Sequence, residues 1–332
     1  MCYVCITEHG CTVGINGGNM VIRYKDENEE CIPKNLVEGV SFFGKSSMTA
    51  QCIQFCMEND VRVSYFNSAG KYLGCFVSYF PDSVDRLRNQ FLRSEDSAFS
   101  LAISKRLVHA KVHNQLVVAK RYAKENNEAI NEALFHLRDI RRKIENINSK
   151  EKLRGYEGIA SRYYFKILSL VVHEEFSFNG RSRRPARNAF NAMLNFGYSL
   201  LTKEISGELI NRRLSPNIGF LHRCHDNSPA LACDLIEEWR PIIVDSVVMS
   251  MIQGMEITPS MFTTEDGICT MSNDAIKLLL IKFETKLHVK SKYLSYISKP
   301  VSFRKAIWHQ ADRLGRAIDI NNADLYEPIM VR

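Results

Sequence analysis

The sequence predicts an α+β protein, with a small N-terminal β-rich domain over 1–80 followed by a larger all-α domain over 81–332. Two observations lead there. Before Pro81, apolar residues alternate or run in short blocks between Gly- and Asn-rich turns. Beyond it, they recur at three- and four-residue spacing with Lys, Arg and Glu between them. Size agrees, since 332 residues exceed one average domain and fall short of three.

The elements follow in order. Val13-Gly14-Ile15 leads into Asn16-Gly17-Gly18-Asn19, a hairpin turn, and Met20-Val21-Ile22-Arg23-Tyr24 returns. Val40 to Gly44 reads as a further strand and Ser47 to Asn59 as a short helix. Val61 to Phe66 alternates, turns at Asn67-Ser68-Ala69-Gly70 and resumes at Tyr72 to Phe76. Pro81-Asp82-Ser83 marks the change of period. Helical patterns then cover 84–127 and 128–147, Tyr156 to Phe176, and Asn188 to Lys203. Ser228-Pro229 has the form of a helix start, with Ser as N-cap and Pro at the first helical position. Helices continue through Ser250, from Ser272 to about His288, and from Ser302 to Ile318.

Composition narrows the class. Hydrophobic residues make up 45% and charged residues 24%, which excludes disordered and fibrous chains. No apolar run approaches the roughly 20 residues of a membrane span, and the start MCYVCITEHG lacks the form of a signal peptide, so a cytoplasmic location is expected. The net charge of +7 is unevenly placed: 6 basic against 8 acidic residues in 1–80, and 38 against 29 in the remainder. That split suits a nucleic-acid surface on the larger part, though an ordinary basic enzyme would look the same by charge alone. Seven of the ten cysteines precede residue 76. Cys2-x-x-Cys5 has zinc-like spacing but no second such pair follows, and reduced, packed thiols are the better reading.

Four segments carry candidate chemistry. Glu157, in Gly155-Tyr156-Glu157-Gly158, is a carboxylate expected in the first turn of an apolar helix, where it would also complement the helix dipole. His222 ends Ile218-Gly219-Phe220-Leu221-His222. Asp234 and Glu237 stand i,i+3 on one helix face with Glu238 beside it, and Arg240 is a salt-bridge partner for the pair. Together Glu, His and Asp/Glu form a donor set for Mg²⁺ or Mn²⁺, the imidazole favouring Mn²⁺. The fourth segment, Asn179 to Arg187, puts Arg181, Arg183, Arg184 and Arg187 ahead of a helix bearing Asn191, Asn195 and Tyr198. Such a loop either grips phosphates or is simply solvated. Lys105, Arg106, Lys111, Lys120, Arg121 and Lys124 make a weaker basic stretch, read as an exposed helix.

As an ordered set these motifs resemble the catalytic integrase subunit of CRISPR–Cas adaptation, a family of metal-dependent DNA endonucleases. The resemblance rests on Gly155-Tyr156-Glu157-Gly158 with Tyr164-Phe165; Arg184-Pro185, Asn191-Ala192-Met193-Leu194-Asn195 and Tyr198; Ile218 to His222; and Asp234 to Glu237 with Arg240-Pro241. Lys111 with Asn114-Gln115, and the Phe43-Gly44 strand end, also fit. It spans nearly the whole chain.

The resemblance implies that Glu157, His222 and Glu237 are the catalytic metal ligands, with Glu237 standing where many members have Asp. It makes Asp234 a neighbouring acid that supports them. Arg184, Asn191 and Tyr198 would line the DNA groove with Arg181, Arg183, Arg187 and Lys111, and His225 would touch the scissile phosphate. The implied reaction joins 3′-hydroxyl ends of captured double-stranded DNA into a CRISPR repeat, with Mg²⁺ or Mn²⁺ as cofactor. Implied partners are a second copy, paired through the β domain, and a small ferredoxin-like adaptation subunit completing a heterohexamer. Two other readings remain: a structure-specific nuclease on branched DNA or RNA, and a non-catalytic DNA-binding scaffold.

Overall fold

The computed structural model describes residues 2–59, 61–67, 72–76, 84–123, 127–182, 185–222 and 229–332. It divides into two compact units, one of Met1–Pro81 with Ile276–Leu280 and the other of Asp82–Ala275 with Ile281–Arg332. The first is β-rich and the second mostly helical, as the patterning predicts.

Among the described residues, eight strands lie in the first unit: β1 (Cys2–Ile6), β2 (Thr12–Asn16), β3 (Asn19–Arg23), β4 (Glu29–Pro33), β5 (Val37–Phe43), β6 (Ser47–Met48), β7 (Arg62–Phe66) and β8 (Tyr72–Phe76). They form two four-stranded sheets, ordered β1-β5-β7-β8 and β4-β3-β2-β6. β2 and β3 pair antiparallel about Gly17-Gly18, with Gly17 at φ 58°, the left-handed backbone such a tight turn requires. Helix α1 (Ala50–Glu58) starts at Thr49, whose hydroxyl accepts from the Cys52 amide. Its Cys52 and Cys56 join Val13, Met20, Val40, Phe42 and Val63 in one core, where they behave as small apolar groups.

In the second unit, α2 (Val84–Glu95) and α3 (Ser97–Tyr122) replace the single pattern expected over 84–127. Asp96 divides them: its carboxylate accepts from the Ala98 and Phe99 amides and so caps α3. α4 (Glu128–Ile144) and α5 (Lys150–Val171) follow, the latter capped by Ser149 and beginning earlier than expected. Glu157 therefore lies well inside α5, not in its first turn, and a helix-dipole role for it falls away. α6 (Ala189–Asn211) is capped by Asn188.

α7 (Ala230–Trp239) begins after Pro229, with no side-chain cap bond there, and Ser228 lies outside the described residues. At Pro241 the helix widens into a π turn over Pro241–Asp245, where the amides of Val244 and Asp245 both reach the Arg240 carbonyl, before α8 (Ser246–Gln253) resumes. A hairpin of β9 (Phe262–Glu265) and β10 (Ile268–Met271) turns at Asp266-Gly267, both at positive φ, a turn signal that the expected elements leave out. α9 (Asn273–His288), the short pair β11 (Lys290–Ser291) and β12 (Val301–Ser302), and α10 (Phe303–Ile320) complete the chain, with α9 capped by Ser272 and α10 by Ser302. No described helix is long and apolar enough to cross a membrane.

Candidate active site

Helix α3 was expected to be an exposed basic helix, yet most of it is buried, and the side chain at the centre of the site comes from it. Lys111 is only 4% exposed, and its ammonium pairs with both Glu157 of α5 and Glu237 of α7. It does not face solvent as a DNA-binding lysine would, because a buried ammonium requires opposite charge beside it. Burial alone would pull its pKa down, but Glu237 and Glu157 more than offset this and hold it above the ordinary lysine value.

Glu237 is also buried, at 2% exposure. Its Oε1 accepts from Arg240 at 2.7 Å, while Oε2 lies 2.5 Å from the Lys111 Nζ without a well-directed hydrogen bond. Burial pushes this carboxyl up, and the charges of Arg240, Lys111 and His222 overcome that and hold it at about 2. Glu157 is more open, with 21% of its side chain exposed, and Ser161 donates to it at 3.2 Å.

His222 is aimed by Asp234. Fully buried Asp234 accepts from the amides of Phe220 at 2.5 Å, Leu221 at 2.9 Å and His222 at 2.9 Å, and it bonds His222 Nδ1 at 2.7 Å. One carboxylate thus shapes the loop and fixes the ring with Nδ1–H donating to it, leaving the Nε2 lone pair of a side chain that is 38% exposed to act as a ligand. Burial lowers the imidazole pKa, but the Asp234 bond and charge raise it above the ordinary histidine value. The loop's close approach depends on Gly219: a Cβ there would stand 2.9 Å from the Ala230 carbonyl carbon and from Asp234 Oδ2. Asp234 and Glu237, on one helix, therefore serve different tasks.

The sequence motifs include Tyr164 and Tyr198 but not the buried carboxylate that holds both. Asp245, fully buried in the π turn, accepts from Tyr198 at 2.5 Å and Tyr164 at 2.9 Å. Burial raises its carboxyl to about 6, with both tyrosine bonds and then Arg181 and Arg240 limiting the rise. Burial in turn drives the Tyr164 and Tyr198 hydroxyl pKa values well up. The Tyr198 ring carries Arg240 at 4.8 Å and Arg181 at 5.4 Å. Gly197 makes room for this, since a Cβ there would meet Val244 Cγ1 at 2.5 Å. Pro241 was the available signal, as a proline inside a helical pattern forces a local defect.

The arginine-rich loop is partly built inward. Arg181 bonds the side chains of Asn191 and, at 2.8 Å, Asn195. Asn191 is fully buried, accepts from the Ser182 amide at 3.1 Å and donates to the Gly180 carbonyl at 3.1 Å. It clasps the loop instead of lining an open groove, because its polar atoms are already used. Arg187 is exposed. Arg183, Arg184 and His225 lie outside the described residues.

The structure thus gathers Glu157, Glu237 and Lys111 with His222, whose charge acts on Glu237. No ready-formed cluster of three metal-type ligands exists among the described residues, Lys111 standing between the two glutamates. Sequence comparison then places the chain. Residues 4–285 match the model of the CRISPR associated protein Cas1 family, and the chain belongs to that family. It is 29% identical over 331 residues to a CRISPR-associated endonuclease Cas1 of Thermus thermophilus, covering 99% of this chain and 97% of the relative. Among solved structures, the fold matches a casposase bound to integration product, with a TM-score of 0.84 and 23% identity over 100% of this chain and 96% of that one. It also matches a chain of a Cas6-RT-Cas1–Cas2 complex, with a TM-score of 0.84 and 21% identity over 100% of this chain and 36% of that longer one.

Proposed function

We propose that the chain is the integrase and nuclease of spacer acquisition, joining 3′-hydroxyl ends of captured double-stranded DNA to a CRISPR repeat. The observation that carries this is the Lys111 ammonium held between Glu157 and Glu237, beside an imidazole aimed by Asp234. Two carboxylates and a histidine already gather positive charge there, and the Glu237 Oε2 atom has no directed hydrogen bond. By residue type Glu157, His222 Nε2 and Glu237 would hold Mg²⁺ or Mn²⁺ once the Lys111 ammonium no longer stands between the two glutamates. Such an ion, when bound, would make the attacking hydroxyl more acidic and offset charge on the reacting phosphate.

The rest is positioning. Asp234 holds the His222 ring, and Arg240, with Lys111 and His222, holds the Glu237 carboxyl at about 2 and so ionised at neutral pH. Lys111 offsets the charge of both glutamates. Exposed Arg187, with Arg183 and Arg184 of the same loop, would take DNA phosphates. In the joining step a bond forms between the 3′-oxygen and phosphorus while the bond from phosphorus to the host strand's own 3′-oxygen breaks. The proton of the attacking hydroxyl passes to solvent and the departing oxygen takes one up. With water in place of the hydroxyl the same site cuts, in keeping with the endonuclease name of the Thermus relative. The casposase match supports integration, and the Cas1–Cas2 complex supports a small adaptation partner; the homodimer and heterohexamer belong to the same proposal.

The test uses a labelled duplex with 3′-hydroxyl or 3′-deoxy ends, a repeat-bearing plasmid and Mn²⁺. Label joined to plasmid only from the hydroxyl duplex is expected. Shortened products alone would leave a branched-DNA or RNA nuclease, and bound but unchanged DNA would leave a scaffold.

A further inference from the structure

The carboxylate next to Glu237 takes no part in the proposed chemistry, yet it is held at more points than any ligand. Glu238 is fully buried on α7. Its Oε1 accepts from the Tyr326 hydroxyl at 2.5 Å, its Oε2 from the Ile329 amide at 2.7 Å, and Gln310 donates to both oxygens at 3.3 and 3.2 Å. Its backbone carbonyl accepts from Asn114 of α3 at 2.8 Å. Asn114 also donates to the Ile329 carbonyl at 3.0 Å and accepts from the Val331 amide at 3.0 Å. His113 meets the Val331 carbonyl at 2.8 Å, and Arg106 pairs with Asp324.

Segment 324–331 is therefore stitched to two helices, α3 and α7, whose Lys111 and Glu237 meet in the site. Asn114 stands one turn from Lys111 on α3, and Glu238 is adjacent to Glu237 on α7. The Arg106–Asp324 pair is exposed, but the bonds of Glu238, Asn114 and His113 are all buried or partly so, where a lost partner is costly and the geometry is correspondingly fixed. We propose that residues 324–331 form a clamp that sets the α3–α7 spacing and so positions Glu237 against Lys111, with Glu238, Asn114 and Tyr326 as positioning residues. This rests on the reading of Glu237 as a carboxylate of the active site.

The full-length protein is compared with Tyr326→Phe, which removes one hydroxyl, and with Asn114→Ala, well below their melting temperatures. Three quantities are followed: the Mn²⁺ concentration giving half-maximal joining or cutting, DNA affinity by fluorescence anisotropy, and hydrogen exchange of peptides covering 230–239. The clamp predicts an increase of about tenfold in half-saturating Mn²⁺, faster exchange in 230–239, and unchanged DNA affinity. A lowered melting temperature with unmoved Mn²⁺ dependence and unmoved exchange makes the tail a structural element only and overturns the clamp. If the wild type shows no Mn²⁺-dependent chemistry, the functional reading fails by itself. The clamp is then decided by exchange: acceleration in 230–239 upholds it, and no change overturns it.

Discussion

Glu237 and Glu238 are neighbours on one helix, equally removed from water, and their surroundings send them in opposite directions. Glu237 faces Lys111, Arg240 and His222, and those charges hold it at about 2. Glu238 faces a tyrosine hydroxyl, a glutamine and a backbone amide; burial raises it to about 8, and these neutral donors lower it only in part. Glu238 accepts more hydrogen bonds than Glu237 and still keeps the higher pKa, so bonding is not what separates them. Net charge within a few ångströms decides whether a buried carboxylate keeps its proton. Helix α7 thus divides into a side that faces cations and a side that faces neutral donors.

The comparison breaks most visibly if the cation is removed. Lys111→Met leaves Glu157 and Glu237 facing each other without their shared ammonium. We expect a loss of about 3–5 kcal/mol, the usual result of breaking a buried pair, measured by urea unfolding at neutral pH. Stability equal to wild type would mean that the ion pair is not a determinant of the fold.

Asp245 sharpens the comparison, since it combines both environments: neutral tyrosine donors in contact, with Arg181 and Arg240 nearby, and a carboxyl at about 6. Its folded pKa lies above the unfolded one, so its contribution to stability is fully present below about pH 4 and is lost as pH rises through 6. Over that interval the loss is on the order of 3 kcal/mol. Asp245→Asn should flatten the stability curve between pH 4 and 6 relative to wild type, read by thermal unfolding across pH. An unchanged slope would remove Asp245 from the account.

A smaller effect is expected at Asp234, which supports the cationic side without joining it. Asp234→Asn weakens the hold on the His222 ring and should cost about 10- to 100-fold in Mn²⁺-dependent turnover. Normal turnover would mean that His222 needs no such support.

Much of the fold was legible in the sequence because it is written locally. The Gly17-Gly18 turn, the alternation of Val61 to Phe66 and the Ser272 and Ser302 caps act within a few residues. The missed features depend on distance or on competition. Asp96 was read through as part of one helix, because its capping bonds compete with an uninterrupted apolar period. The motif places Glu157 at a helix start, whereas Ser149 caps that helix earlier. Within the site, the residue types of Glu157, His222, Asp234 and Glu237 stood out by motif. The placing of Lys111 between two of them did not, since α3, α5 and α7 must first pack. Asp245 gave no signal beyond Pro241, and Glu238 is matched with Tyr326 and Ile329 only across the folded unit.

The central claim is that Glu157, His222 and Glu237 together bind one divalent site. It is tested most directly by Mn²⁺ binding, followed by the loss of the free-ion electron paramagnetic resonance signal, in wild type and in His222→Ala. His222 has a half-exposed side chain, so its removal should leave the fold intact. The account predicts saturable binding by the wild type and binding weakened by an order of magnitude or more in the variant. Identical binding curves for the two proteins would contradict it.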